Sequence, residues 1–202
     1  MRHQSLLSGL VFAALVTVGR SASADVTVEG NPVERTAGPD AKFSLGCDVA
    51  LTLPIGGFSD LAGPGVGLLV RFEYELRERL NLTGRLGYIY NFSHDVTGGS
   101  VGASLLPLWG GIKYFPLGDA VNDGFYLAPE IGLESLTGRF TSSSGASYAS
   151  GSSSDLRVGI TAMVGYTFGN LDFRAGFLFA DVGHISDSMS IMFNAGYTFL
   201  RF

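Results

Sequence analysis

The residues best suited to chemistry lie near the C-terminus, where His184 and Ser186 are separated by Ile185. A histidine base close to a serine nucleophile suits ester hydrolysis, because the base can take the hydroxyl proton as the oxygen attacks. The other interpretation, which we favour, is that these are solvated residues of a loop.

Two further patterns suggest ligands only weakly. His94-Asp95 and His184 lie in separate predicted loops and would have to meet to share a metal, and two histidines without a fixed spacing are a poor metal signature. The run from Gly63 to Gly67 is glycine-rich like a phosphate loop, but no helix or lysine follows where such a loop needs one. We therefore predict a turn there, with no cofactor and no metal.

The N-terminus has the layout of a secretory signal. Arg2 and His3 precede an apolar run from Leu6 to Val18, and Ala22-Ser23-Ala24 forms a small-residue cleavage site. We predict a signal peptide over residues 1–24, cleaved after Ala24, then a polar periplasmic tail over residues 25–41 and one domain over residues 42–202. An uncleaved anchor is the alternative, but the apolar run is too short for a spanning helix.

The remaining chain is acidic. Removing Arg2 and Arg20 with the signal leaves 11 basic and 18 acidic residues, a net charge of −7. Binding to DNA or RNA needs a basic surface, so a nucleic-acid partner is not expected.

The elements that would position all these residues are strands, because apolar residues recur at every second position in eight segments. The segments are Lys42–Leu53, Val66–Leu76, Leu80–Phe92, Leu105–Tyr114, Phe125–Leu136, Leu156–Phe168, Leu171–Phe179 and Met189–Phe199. The fourth segment is the least regular, since Leu105, Pro107 and Trp109 share its polar face with Lys113.

A soluble barrel and a membrane barrel share this pattern and differ in which face is inside. Here the polar faces hold few charges and many Gly, Ser and Thr residues, which suits a crowded lumen. The segments are long enough for a tilted crossing, and aromatic residues cluster near the strand ends as at a bilayer interface. The sequence therefore predicts an all-β fold, an eight-stranded antiparallel up-and-down transmembrane β-barrel, with a soluble lipocalin-like barrel as the alternative.

Ten charged residues are predicted to face the lumen, five of each sign. They are Asp48, Arg71, Glu73, Arg85, Lys113, Glu130, Glu134, Arg157, Asp172 and Arg174. Because an unpaired buried charge is costly, we expect these groups to compensate one another in a network rather than to form a selectivity filter.

Connection lengths predict the orientation, since such barrels have short periplasmic turns and longer external loops. The connections at Arg77–Arg79 and Gly169-Asn170 are tight, and the one from Pro116 to Gly124 is longer than ideal. The predicted external loops are Pro54–Gly65, Ser93–Val101, Thr137–Ser154 and Val182–Ser188. The third is rich in Ser and Gly and has the composition of a flexible linker or an adhesive loop.

The C-terminal segment, which contains Tyr197, Phe199 and Phe202, resembles the last strand of bacterial outer-membrane proteins. That resemblance implies recognition of the terminal aromatic residues by the barrel-assembly machinery. The family alternation fits Phe199 better than Phe202, so either the last three residues overhang the strand or a bulge resets the register. Together with the signal and the eight strands, residues 42–202 resemble the small OmpA/OmpX-type barrels of Gram-negative bacteria, whose narrow lumen is filled by side chains.

A second resemblance concerns the residues that could do chemistry. His184-Ile185-Ser186-Asp187 resembles the His-x-Ser-Asn of lipid A deacylases, but Asp187 replaces the Asn and no catalytic Glu follows.

We therefore expect a non-enzymatic outer-membrane protein whose external loops serve a structural, adhesion or defence role. Its expected partners are outer-membrane lipid, the assembly machinery and a host or surface ligand. The alternatives are uptake of small hydrophobic molecules and, less favoured, a lipid A-modifying enzyme.

Overall fold

A computed structural model describes residues 42–117, 123–144 and 147–202 of the chain. The predicted signal peptide, its cleavage after Ala24 and the predicted tail over residues 25–41 lie outside these ranges. Within the described ranges, no helix is long and apolar enough to cross a membrane.

Most of the described residues belong to nine strands. They are β1 (Phe43–Pro54), β2 (Gly65–Arg77), β3 (Leu80–Asn91), β4 (His94–Val96), β5 (Gly99–Tyr114), β6 (Asp123–Ser144), β7 (Ser147–Phe168), β8 (Leu171–Phe179) and β9 (Met189–Arg201). Two short 3-10 helices, Gly56–Asp60 and Val182–Asp187, lie in the connections that follow β1 and β8.

Eight of these strands form a closed antiparallel ring. Consecutive ring strands pair with each other, β3 pairs with β5, and β9 pairs back with β1. The short β4 pairs with β5 alone and continues the sheet beyond the ring. The predicted eight-stranded up-and-down barrel is confirmed.

The faces of the strands follow the predicted alternation. In β1, Asp48 and Ala50 are buried inside the ring, whereas Leu51 and Leu53 are exposed on its outer surface. The irregular β5 keeps the same register, because Leu106 and Leu108 point outward while Leu105 and Trp109 are buried. Its mixed pattern arises from apolar residues that fill the lumen.

The two ends of the ring differ in their connections. One end, called the turn end here, carries the short turn after β2 and the two-residue turn Gly169-Asn170 between β7 and β8. Gly169 has a φ of +58°, which a glycine adopts without strain and which suits the first position of a type II′ hairpin turn. The other end, called the loop end, carries both 3-10 helices, β4 and the tip of the β6–β7 hairpin.

The prediction of a loop from Thr137 to Ser154 is wrong. Strands β6 and β7 stay paired without a break through this region, from Thr137 opposite Ser154 to Ser144 opposite Ser147. The region from Ser93 to Val101 likewise contains β4 and the start of β5. The alternation used to predict strands records one apolar face, and a hairpin that rises clear of an apolar layer does not need one.

The two alternatives for the C-terminus are resolved in favour of a bulge. Leu45 is opposite Leu200 while Gly46 is opposite Thr198, so Phe199 is an extra residue in β9. Phe199 and Leu200 are consequently both exposed on the outer surface. Beyond the bulge, Phe202 and Phe43 exchange two backbone hydrogen bonds of 2.9 Å, which close the seam between the last strand and the first.

Candidate functional site

Eight of the ten predicted inward charges lie in contact in the half of the lumen nearer the turn end. These eight, called the charged cluster here, are Asp48, Arg71, Glu73, Arg85, Lys113, Glu130, Asp172 and Arg174, and all are buried. The cluster contains four carboxylates and four cations contributed by six strands, so it is neutral as a whole.

One side of the charged cluster centres on Arg71. Its Nε donates to Asp48 Oδ1 at 2.9 Å, and its Nη1 donates to Glu73 Oε1 at 2.7 Å. Lys113 Nζ lies 3.1 Å from the same Glu73 oxygen and 2.6 Å from Asp172 Oδ2. Each carboxylate on this side therefore has at least one cation in direct contact.

The other side of the cluster centres on Glu130. Both Nε and Nη2 of Arg85 donate to its carboxylate, with Nε 2.8 Å from Oε2. Arg174 joins the two sides, because its Nε lies 3.1 Å from Asp172 Oδ1 and its Nη1 lies 3.6 Å from Glu130 Oε1. Such charge-assisted bonds in a low-dielectric interior lock the strands to one another.

Neutral side chains complete the cluster. Tyr126 donates its hydroxyl to Asp172 Oδ1 at 2.6 Å, and its ring lies 4.2 Å from Lys113 Nζ. Thr161 donates to Glu130 Oε2 at 3.0 Å. The sequence had placed Tyr126 on the inward face of its strand, but nothing in its spacing indicated which carboxylate it would meet.

Glu134 is separate from the charged cluster. It is 0 % exposed, and its Oε1 accepts a 2.8 Å hydrogen bond from Trp109 Nε1. Its other oxygen, Oε2, has no hydrogen-bond partner among the described residues. The carboxyl group fits only because residue 159 is glycine, since a Cβ there would overlap Glu134 Oε1.

Arg157 also stands apart from the cluster. Its backbone lies directly opposite Glu134, but its guanidinium turns towards the loop end and contacts Asp181 Oδ2 at 2.5 Å and Asp155 Oδ2 at 3.4 Å. The Arg157 side chain is 34 % exposed. Water can therefore solvate this cation, so it does not need a buried partner.

Asp181, which sequence analysis did not single out, organises the connection after β8. It accepts hydrogen bonds from the Gly183 backbone N–H at 2.8 Å and from Arg157, and it lies 3.1 Å from His184 Nδ1. Burial opposes ionisation of the carboxyl group, but these partners outweigh it and hold the pKa of Asp181 below its ordinary value. The missed signal was an aspartate just beyond the end of a strand, before a glycine.

The predicted histidine–serine pair does not assemble. The hydroxyl of Ser186 donates to Asp187 Oδ1 at 3.2 Å, and His184 is oriented by Asp181. His94 lies in β4, on a different part of the loop end. In the described ranges, no group of three His, Cys, Asp or Glu residues is placed to hold a metal ion.

The half of the lumen nearer the loop end is filled by apolar side chains. Leu69, Ile89, Leu105, Leu178 and Met192 are each 0 % exposed and belong to one cluster of buried residues. Phe58, from the 3-10 helix that follows β1, is buried in the same cluster. The side chains themselves therefore occupy the space through which a solute would have to pass.

The predicted assembly-signal residues lie on the outer surface. Tyr197, Phe199 and Phe202 are all exposed there. The ring of Phe202 stacks on Phe43 at a centroid distance of 5.7 Å, and Phe43 also lies 4.7 Å from the ring of Tyr74. The seam of the barrel thus ends in an aromatic group at the turn end, where a bilayer interface favours such residues.

A closed ring of eight antiparallel strands, apolar outside and filled with paired charges inside, is the fold of the small outer-membrane β-barrels of the OmpA/OmpX type. Among solved structures, the chain is similar to Ail, the attachment invasion locus protein of Yersinia pestis. The TM-score is 0.53 and the identity 14 %, covering 79 % of this chain and 99 % of that chain.

Two other solved structures are similar. Ail in complex with the heparin analogue sucrose octasulfate gives a TM-score of 0.50 at 16 % identity, covering 78 % of this chain and 98 % of that chain. The N-terminal β-barrel domain of OprF from Pseudomonas aeruginosa gives 0.46 at 18 % identity, covering 77 % of this chain and 97 % of that chain. No family model matches the sequence, and no curated protein matches it significantly. At these identities the likeness concerns the fold.

Proposed function

We propose that this protein is a non-enzymatic barrel of the bacterial outer membrane that binds a partner at the cell surface through its loop end. The observation that carries this proposal is the polar β6–β7 hairpin, which continues past the ring on a barrel whose lumen its own side chains fill. We refer to residues 137–154 of this hairpin as the projection. A rigid sheet held away from the membrane is a suitable platform for recognition.

The outer surface supports a membrane location. Large apolar side chains are exposed on every strand of the ring, including Leu68, Leu108, Ile131 and Phe173. In water such a continuous apolar surface would drive aggregation, whereas in a bilayer it is solvated by lipid. Export by a signal peptide cleaved after Ala24, and recognition of Tyr197, Phe199 and Phe202 by the barrel-assembly machinery, belong to the same proposal.

The contents of the lumen argue against the two alternatives. Uptake of a small hydrophobic molecule would require the packed side chains around Leu105 and Met192 to move apart. A lipid A-modifying activity would require the Ser186 hydroxyl to meet a base, and its hydrogen bond goes to Asp187 instead.

The charge of the loop end indicates what kind of partner fits. Its acidic residues are Asp60, Asp95, Asp155, Asp181 and Asp187, and its two arginines are Arg139 and Arg157. Arg139 donates to the carbonyl oxygens of Asn91 and Ala103, both at 3.2 Å, and Arg157 is paired with aspartates. A sulfated ligand such as the one bound to Ail would meet net negative charge here, so we expect an uncharged or basic partner.

The test is a shortened projection. Residues 139–152 are replaced by Asn-Gly, which keeps Gly138 opposite Ser153 and closes the hairpin with a two-residue turn. The variant and the unaltered protein are displayed on a non-adherent Gram-negative host and compared for binding to host cells and serum proteins. We expect binding to be lost while heat-modifiable migration on gels, which reports the folded barrel, is unchanged. Equal binding by the two proteins would refute the proposal.

Two further measurements address the alternatives. Accumulation of a hydrophobic dye tests uptake, and mass spectrometry of lipid A tests the enzyme. We expect neither to differ from cells without the protein.

A further inference from the structure

The projection leaves one strand edge without a partner. The last residue of β7 that pairs with β8 is Ile160, opposite Phe179, whereas β7 continues to Ser147. On its other side β7 stays paired with β6 over its whole length, and β6 is covered in turn by β5 up to Ser142 opposite Gly99. The β8 side of residues 147–159 therefore faces no strand, and at about 3.3 Å per residue this edge is roughly 40 Å long.

The hydrogen-bonding direction of each residue on this edge follows from the turn at the other end of β7. A two-residue hairpin turn makes its flanking pair, Phe168 and Leu171, a hydrogen-bonded pair. Even-numbered residues of β7 thus direct their N–H and C=O groups towards β8. The register of β7 with β6 has no shift from Phe168 to Ser147, so the same parity holds along the projection. Ser150, Ser152, Ser154 and Leu156 consequently present unpaired backbone groups to solvent.

The edge lacks the usual protection against strand pairing. Exposed edges are normally blocked by lysine, by proline or by a bulge. Residues 147–159 contain no lysine and no proline, and the pairing items of β7 show no bulge. Residues 150–156 are all exposed, with Leu156 70 % exposed. Only at its base is the edge approached by another segment, where Arg157 contacts Asp181.

We propose that the free edge of β7 binds an extended polypeptide segment by strand addition, with the even-numbered residues from Ser150 to Leu156 supplying the backbone hydrogen bonds. The inference rests on the proposed surface-binding function and names its partner class. Main-chain hydrogen bonds give the affinity in this mode. The small serine side chains leave the edge open, and the surrounding aspartates favour a segment that is uncharged or basic.

The experiment uses the full chain in phospholipid nanodiscs and a defined probe, a fluorescent ten-residue peptide of Ser, Thr and Val with one lysine at each end. Binding is measured by fluorescence anisotropy. Ser152→Pro removes one edge N–H but leaves the pairing with β6 to the odd-numbered residues, whereas the matched control Ser152→Ala removes only the hydroxyl group. We expect Ser152→Pro to weaken binding about tenfold and Ser152→Ala to change it less than about twofold.

Changes to the probe give an independent readout. Methylation of the backbone nitrogens at alternate residues keeps the side chains but removes the donors of one peptide edge. We expect this peptide to bind at least about tenfold more weakly than its parent, and a peptide with aspartates in place of the lysines to bind more weakly as well. Equal binding of parent and methylated peptides, equal effects of the two Ser152 variants, or no binding of the parent would each overturn strand addition.

The outcomes separate this inference from the proposed function. If the shortened projection abolishes adhesion while the Ser152 variants behave alike, the surface function stands and strand addition is wrong. If the chain pairs with a second copy through this edge, seen as a dimer that Ser152→Pro abolishes, the peptide assignment is overturned in favour of self-association. Binding of sucrose octasulfate in preference to the peptide would likewise overturn the assignment of partner.

Discussion

In the half of the lumen nearer the turn end, four carboxylates each lie within ion-pair distance of a cation, whereas Glu134, further towards the loop end, is equally buried and contacts an indole. The strands are the same, and so is the type of residue. What differs is the number of partners: Glu130 is contacted by Arg85, Arg174 and Thr161, and Glu134 by Trp109.

This difference teaches that one barrel buries acidic groups in two physically distinct ways. The charged cluster is neutral only as a unit, so removing one member leaves its partners buried and uncompensated. Glu134 depends instead on one hydrogen bond and on the space left by Gly159. The two halves should therefore respond differently to the same kind of substitution.

The largest effect is expected for Glu130→Ala. The substitution removes the shared partner of Arg85 and Arg174 and leaves both guanidinium groups in a dry lumen. We expect the free energy of unfolding to fall by about 3–5 kcal/mol, measured by urea titration in lipid vesicles. Glu78→Ala, in the exposed turn between β2 and β3, is the matched control and should change stability by less than about 0.5 kcal/mol. If Glu130→Ala and Arg71→Ala both left stability unchanged, the cluster would not hold the barrel together.

A smaller effect is expected for Gly159→Ala. The new Cβ would lie 1.8 Å from Glu134 Oε1, so the carboxyl group must shift away from Trp109. We expect a loss of about 1–3 kcal/mol. Gly84→Ala is the control, since the nearest atom to its Cβ is 3.9 Å away.

The same substitution can be tested for its cause. In a Glu134→Ala background the clash is absent, and Gly159→Ala should then cost little. An unchanged cost in that background would mean that Gly159 is required by the backbone and not by Glu134.

The sequence could predict the faces of the lumen but not its contacts. Alternation alone places Asp48 and Arg71 inside, because parity along a strand fixes the face. Which charges meet depends on how the closed ring folds across itself: Lys113 on β5 contacts Asp172 on β8, and these strands are not neighbours. Glu134 and Arg157 show the converse, since their backbones are directly opposite and their side chains diverge.

The projection was missed for a different reason. Its Ser- and Gly-rich composition is shared by flexible linkers and by strands that lie outside an apolar layer. Composition cannot separate these cases, and the pairing of residues 137–144 with residues 147–154 could.

A small effect is expected for Glu134→Gln, and it sharpens the contrast between the two halves. The amide oxygen can still accept the hydrogen bond from Trp109, and no cation loses its partner. We expect a change of less than about 1 kcal/mol. The same substitution at Glu130 removes the negative charge beside two guanidinium groups and should cost about 2–3 kcal/mol. Equal costs at the two positions would show that Glu134 has an ionic partner after all.

The smallest effect is local and concerns Asp181, which takes Arg157 away from Glu134. The folded protein holds the pKa of Asp181 below its ordinary value, so its ionised form stabilises the connection at higher pH. That contribution is lost as the pH falls from the ordinary aspartate range through the lower folded value. Hydrogen exchange of residues 181–188 should therefore show weaker protection, relative to β8, below that range than at neutral pH. Asp181→Asn should weaken protection at neutral pH and remove most of this pH dependence, because an amide does not ionise. If the variant kept the pH dependence of the unaltered chain, Asp181 would not be the group that fixes this connection, and the diversion of Arg157 from Glu134 would need another cause.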